Sequence, residues 1–217
     1  MDEPPLDWPG VLEPSLLSED LVTAGHHLAD FADAGDWPAL FDLLATTPAL
    51  SVNQWRPGSA EWLTPLHHAA RHGAPVQVVA ALLEHGALRC LRDARGWTAY
   101  DIAVDACHPP ELTTLLAPPP SPLSDERVRA LDSNLEWAID GAIRAAGLFE
   151  GHHDHALRTL LRYPPVTVLH EAAGGSAHFA IPGLPGGVGV TLRRGYLETI
   201  GGEQVHVITD RGAVLVS

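Results

Sequence analysis

The chain has 217 residues, of which 46% are hydrophobic, and its formal net charge is −14. This apolar content is enough to build a core and excludes a wholly disordered chain. Residues 1–50 contain ten aspartates and glutamates and no lysine or arginine. Such a field disfavours nucleic acid and anionic lipid, and it favours a basic protein partner or plain solubility.

The two cysteines, Cys90 and Cys107, form neither a disulfide framework nor a zinc-ligand spacing, so we expect them to be reduced. The N-terminal sequence lacks the features of a signal peptide, and no stretch approaches the roughly 20 apolar residues of a membrane span. We therefore expect a cytoplasmic protein that binds neither a membrane nor nucleic acid and that uses no cofactor.

Composition shifts predict four segments in chain order. Residues 1–22 form an acidic, proline-rich lead-in or N-terminal cap, 23–117 a repeat domain, 118–123 a proline-rich linker and 124–217 a C-terminal α+β domain. The linker is placed at Pro118–Pro122 because proline lacks an amide hydrogen and restrains the residue before it.

The sequence repeats itself before this linker. The run Thr64-Pro65-Leu66-His67-His68-Ala69-Ala70-Arg71-His72-Gly73, followed by Leu82–Ala87, resembles one complete ankyrin repeat. Thr98 lies 34 positions after Thr64, close to the family period of roughly 33. The resemblance implies about three repeats over residues 26–117, each a pair of helices stacked beside the next pair.

Local chemistry is consistent with this periodicity. Thr64 and Thr98 can cap the first helix of their repeats, and the small Ala69-Ala70 pair lets neighbouring helices approach closely. Gly73 is expected to end its helix. Cys107 stands at the equivalent position one repeat later, which departs from the family pattern.

The resemblance implies that certain side chains face the concave, partner-binding surface. Those on the first helices are Asp30, Asp33, His68, Arg71, His72 and Asp105. The projecting turns add Glu61, Trp62, Arg92, Arg95 and Trp97, since tryptophan and arginine often anchor interfaces. The tryptophans could equally fill gaps between repeats, and His67 is interpreted as a structural residue.

The C-terminal segment predicts helices followed by strands. A helical face extends from Ser124 to Gly147, and a shorter helix covers His155–Leu161. Five apolar runs separated by glycine-containing turns then predict an antiparallel β-meander: 177–181, 188–192, 196–200, 205–209 and 213–216. The fold class is thus α+β. The last sixty residues or so resemble a terminal segment of uncharacterised bacterial proteins, and this resemblance implies no activity.

Two groups of residues carry side chains suited to metal binding or catalysis. His152-His153-Asp154-His155 is dense in potential metal ligands, but adjacent residues point in different directions, so a solvated helix start is favoured and no metal site is predicted. The C-terminal segment offers general acids and bases, which make weak catalytic candidates: Glu171, His206, His170 and His178.

These patterns lead to two hypotheses from different classes. The first is a non-catalytic binding protein whose ankyrin-repeat concave surface recognises a protein partner, a basic one by the charge argument. The alternative is a small enzyme, of specialised metabolism for example, with its site between the repeat stack and the C-terminal β-rich domain. A small-molecule ligand is compatible with either hypothesis.

Overall fold

The computed structural model describes residues 4–149, 154–202 and 204–216. The chain divides into two compact units. The unit with the predicted ankyrin repeats is Glu13–Pro119, which we call the ankyrin unit for that reason, and the C-terminal unit joins the chain up to Leu12 with the residues from Pro120 onward. The start of the chain therefore groups with its end, whereas the sequence pattern treats residues 1–22 as one lead-in.

The ankyrin unit consists of successive helix pairs. Its helices are α1 (Glu19–Ala34), α2 (Trp37–Thr46), α3 (Pro65–His72), α4 (Val76–Glu84), α5 (Ala99–Asp105) and α6 (Pro110–Leu116). Each odd-numbered helix packs against the helix that follows it, and α1, α3 and α5 also pack side by side. This arrangement confirms the predicted stack of paired helices.

The first helix of every pair ends in the same way. Gly35, Gly73 and Cys107 follow α1, α3 and α5 in the left-handed region, with φ of 70°, 59° and 54°. The next residue in each case donates its backbone N–H to the carbonyl five positions earlier: Asp36 to Phe31, Ala74 to Ala69, and His108 to Ala103. Because this bond satisfies a carbonyl at the helix end, it fixes the turn into the second helix.

Small residues line the contacts between the first helices. The fully buried alanines of this core are Ala32, Ala69, Ala70 and Ala103. Their size lets the helix axes approach closely, while leucines such as Leu40 and Leu82 fill the space towards the second helices.

The connection between α2 and α3 is ordered by buried side chains. Trp55 is only 1% exposed. The Asn53 carboxamide donates to the carbonyl oxygen of Gly86 and accepts from the backbone N–H of Leu88, both at 2.9 Å. These bonds tie the connection to the turn after α4 and satisfy two backbone groups that are otherwise remote from helix partners.

The C-terminal unit combines helices with one sheet. Its helices are α7 (Asp125–Ala145), α8 (Asp154–Leu160) and α9 (Val166–Glu171), and its strands are β1 (Leu6–Asp7), β2 (Ser176–Phe179), β3 (Val188–Leu192), β4 (Leu197–Gly201), β5 (Gln204–Thr209) and β6 (Gly212–Leu215). The described strands form one sheet in the order β1 to β6. The predicted meander and the α+β class are confirmed, whereas β1 and α9 are findings of the structure.

The meander is antiparallel throughout, and only β1 pairs in parallel, with β2. Helix α7 packs on β4, β5 and β6. The buried face carries four residues in cross-strand register: Ala177, Val190, Thr199 and His206.

Among the described residues, no helix has the length and apolarity needed to cross a membrane.

The first residue of helix α9 donates a hydrogen bond to a side chain of α7. The Asp132 carboxylate accepts the backbone N–H of Val166 at 2.7 Å, one residue after Pro165. Burial raises the pKa of Asp132 to about 6, although the bond from Val166 acts in the opposite direction. The Asp132 side chain thus supplies a hydrogen-bond acceptor at the start of a helix that the apolar, β-branched sequence does not predict, although burial disfavours its ionised form.

Candidate functional site

The first helices of the ankyrin unit present charged side chains at one repeated position. Asp33, Arg71 and Asp105 each lie two residues before the left-handed residue that ends α1, α3 or α5. All three are exposed. We call them the first-helix row. Their charges alternate along the stack, and the Arg71 guanidinium donates a hydrogen bond to the Asp33 carboxylate.

A pocket of about 220 Å³ opens beside this row. Its lining comes from α1, α3 and the connection between α2 and α3: Ala29, Asp33, Arg56, Ser59, Glu61, Leu63, His68 and Arg71. Four of the sequence-predicted contact residues therefore border the same space: Asp33, Glu61, His68 and Arg71.

His68 lies deeper than the sequence pattern indicates. Its side chain is 9% exposed, with Nδ1 at 3.4 Å from Asp33 Oδ1 and 3.3 Å from Arg71 Nη2. Burial, followed by the charge of Arg71, lowers the pKa of His68 to about 4, so the imidazole is neutral at pH 7. His72 is exposed one turn later, and the two rings are nearly parallel, 6.5 Å apart.

Arg56 also belongs to this surface, although the sequence pattern did not single it out. It reaches from the α2–α3 connection to Asp30 on α1 and forms an ion pair. The hydrogen bond from Arg56 holds the pKa of Asp30 below its ordinary value. In the sequence, Arg56 is recognisable only as a charged residue in a connection of mostly apolar and small residues. The sequence does not indicate that its partner is Asp30, 26 positions earlier.

The turn before α5 holds Arg92, Arg95 and Trp97 in a defined geometry. The buried Asp93 carboxylate accepts the backbone N–H of Trp97 at 2.9 Å and that of Arg95 at 2.8 Å. Although burial opposes ionisation, these bonds and the Arg95 guanidinium hold the pKa of Asp93 below its ordinary value. The Arg95 guanidinium lies 4.6 Å from the centre of the Trp97 ring, and Arg92 donates to the carbonyl of Gly96 at 2.6 Å.

Glu61 and Trp62 lie in the preceding turn. The carbonyl oxygen of Glu61 accepts the backbone N–H of Ala94 at 2.9 Å, so successive turns are joined. Trp62 is half-buried and adopts a φ of 56°, which is rare for a bulky residue. The side chain of Glu61 is exposed.

The C-terminal histidines proposed as weak catalytic candidates occupy different faces of the sheet. His206 on β5 belongs to the buried face, where Trp137 of α7 meets its ring edge-on at 6.3 Å, and burial lowers its pKa. His178 on β2 pairs with Gly189 in the opposite-face register, and its Nε2 lies 3.0 Å from the carbonyl oxygen of Gly186. The structure does not bring these two imidazoles together.

The other two candidates, His170 and Glu171, end α9, which packs on β2 and β3. Burial lowers the pKa of His170, and its buried Nε2 has no hydrogen-bond partner among the described residues. Of the sequence cluster at 152–155, His152 and His153 lie outside the described residues.

Comparison with known proteins agrees with the helix pairs. The family model for ankyrin repeats (many copies) matches residues 43–103, from α2 into α5. No curated protein matches the chain. The match does not extend to the C-terminal unit, so the resemblance of that segment to uncharacterised bacterial proteins stays a prediction. The chain contains ankyrin repeats at residues 43–103, and such repeats indicate, at a general level, a role in protein–protein interaction.

Proposed function

We propose that the ankyrin unit is a non-catalytic binding module that recognises a protein partner through the first-helix row and the adjoining turns. The observation that carries the proposal is the repeated exposure of charged side chains at equivalent positions of three stacked helices. Stacked repeats form an extended, rigid surface, so a partner can bind with little loss of conformational entropy in the scaffold.

The charge available on this surface favours a basic partner. Residues 13–119 contain thirteen aspartates and glutamates and five arginines. Arg56 and Arg71 are already paired with aspartates on α1, whereas Glu61 and Asp105 make no ion pair among the described residues. The side chains left to meet a partner are therefore predominantly acidic, and they would attract lysine or arginine.

Trp97 and Arg95 supply a candidate anchor beside these charges. Trp97 is half-buried and packs against the core of the ankyrin unit, while Arg95 stacks on its ring. An aromatic side chain fixed in this way loses little freedom on binding, as is typical of residues that dominate interface energies.

The test uses the full chain as bait in the native cell lysate, followed by mass spectrometry and measurement of Kd for the captured protein. The double variant Glu61→Arg with Asp105→Arg reverses two charges on the proposed surface. The matched control, Asp42→Arg with Glu84→Arg, makes the same change on exposed residues of α2 and α4.

We expect the first variant to weaken binding on the order of tenfold or more at low salt, because like charges then face each other. The control should keep the affinity of the unmodified chain. The same loss in both variants would mean that net charge alone governs binding, and no loss in either would place the interface elsewhere. Either result contradicts the proposal.

A further inference from the structure

A cluster of potential metal ligands lies in the ankyrin unit, away from the residues 152–155 that the sequence offered. Its members are Asp33, His68 and His72. His68 and His72 are four residues apart on α3, so their rings share one side of the helix. Asp33 reaches the same place from α1. One ligand atom from each side chain lies within 4.8 Å of the other two.

One of these separations matches that of two ligands on a coordinated ion. Nitrogen and oxygen ligands lie about 2.0–2.1 Å from Zn²⁺, so in a tetrahedral site they are roughly 3.4 Å from one another. The separation between His68 Nδ1 and Asp33 Oδ1 is 3.4 Å. Small side-chain rotations of the exposed Asp33 and His72 would bring the third ligand to the same spacing.

The surroundings leave space for the ion. His68 is held by burial, while Asp33 and His72 are solvent-accessible and can admit an ion. The adjoining pocket of about 220 Å³, which Asp33 and His68 both line, is large enough for a water molecule at a fourth coordination position.

The Arg71 side chain would compete with such an ion for Asp33 and His68. The Arg71 guanidinium bonds the Asp33 carboxylate and lies 3.3 Å from His68 Nδ1. Its side chain is 46% exposed, so it can turn into solvent when an ion takes its place beside Asp33 and His68.

We propose that Asp33, His68 and His72 bind one Zn²⁺ or a similar borderline divalent ion, and that Arg71 occupies the site when the ion is absent. Two imidazoles and one carboxylate are a ligand set that suits zinc better than magnesium or calcium, which prefer oxygen ligands. The site shares Asp33 and Arg71 with the first-helix row, but its test requires no partner and does not change Glu61 or Asp105, so failure of the metal site and failure of the proposed binding function are distinguishable.

The test titrates Zn²⁺ into the metal-free full chain in competition with a chromogenic chelator. Visible absorption of Co²⁺ in the same site reports tetrahedral coordination. The variants His72→Ala and Asp33→Asn each remove a ligand, and Arg71→Gln removes the competing cation. The controls are His85→Ala, an exposed histidine of the same unit, and the pair His152→Ala with His153→Ala. Circular dichroism verifies that every variant is folded.

We expect one equivalent of Zn²⁺ to bind, with a loss on the order of tenfold or more in His72→Ala and Asp33→Asn. Both controls should bind as the unmodified chain does. Arg71→Gln should bind several times more tightly. The site is refuted if the ligand variants retain full affinity or if a control loses it, and an unchanged or weaker affinity in Arg71→Gln refutes the competition.

Discussion

Replacing Cys107 with glycine is expected to stabilise the ankyrin unit. Cys107 follows α5 with a φ of 54°, the conformation that Gly73 adopts with a φ of 59° after α3. For a residue with a β-carbon this left-handed conformation costs roughly 1–2 kcal/mol. Cys107 is exposed, so its replacement uncovers little apolar surface.

The magnitude follows from two opposing effects. Glycine removes the steric cost, but it adds roughly 0.5–1 kcal/mol of backbone entropy to the unfolded chain. The net gain is therefore about 0.5–1 kcal/mol, or a rise in Tm of roughly 2–4 °C for a unit of this size. The reverse change is unfavourable at Gly73, where an added β-carbon would also lie 2.5 Å from Cε1 of His108.

Urea and thermal unfolding of the full chain measure the change in the free energy of unfolding. Hydrogen exchange of the α5 amides shows whether that change lies in the ankyrin unit. Cys107→Ala is the matched control, since it removes the thiol and keeps the β-carbon. We expect Cys107→Gly to exceed this control, and Gly73→Ala to lose about 2 kcal/mol or more. Equal stability of the glycine and alanine variants at 107 would contradict the prediction, because the strain of the left-handed conformation would then be no larger than the entropic cost of glycine.

Two further predictions concern buried polar groups. Asn53→Ala leaves the buried N–H of Leu88 without its acceptor and also removes the bond to the exposed carbonyl of Gly86. It should lower the free energy of unfolding by about 2 kcal/mol in urea titrations; a loss below about 0.5 kcal/mol would contradict the role of the carboxamide. The raised pKa of Asp132 means that its stabilising effect is complete below about pH 4 and is lost as pH rises through about 6. Asp132→Asn should therefore gain roughly 1–2 kcal/mol over the unmodified chain above about pH 6, and this gain should shrink as pH falls towards about 4. A stability difference that does not change with pH would show that Asp132 is not the titrating group.

Much of the ankyrin unit follows from local sequence. The spacing from Thr64 to Thr98 predicted successive helix pairs, and the structure contains α3 and α5 at these positions. The reason is that helix caps, small residues at close contacts and left-handed helix ends are local requirements that recur with each repeat. Glycine-separated apolar runs predicted the meander of the C-terminal unit for a similar reason, since hairpins join neighbours in sequence.

The candidate site was only partly accessible in this way. The repeat period places Arg71 and Asp105 at equivalent positions, but it does not indicate how far a side chain is buried. The pattern predicted that His68 is an exposed contact residue, whereas in the structure its side chain is largely buried beside Asp33. The pairing of Arg56 with Asp30 depends on the path of the α2–α3 connection, which no periodic signal describes.

The sequence by itself determined the helix pairs, the meander and the acidic character of the chain, because each depends on composition or on neighbours along the backbone. Only the tertiary structure decided that Leu6–Asp7 joins the sheet beside β2, that Val166–Glu171 is helical, and that Asp33 meets two histidines of α3. These features bring together residues that are distant in sequence. Their stability comes from burial and from hydrogen bonds between separate elements, which a local pattern does not encode.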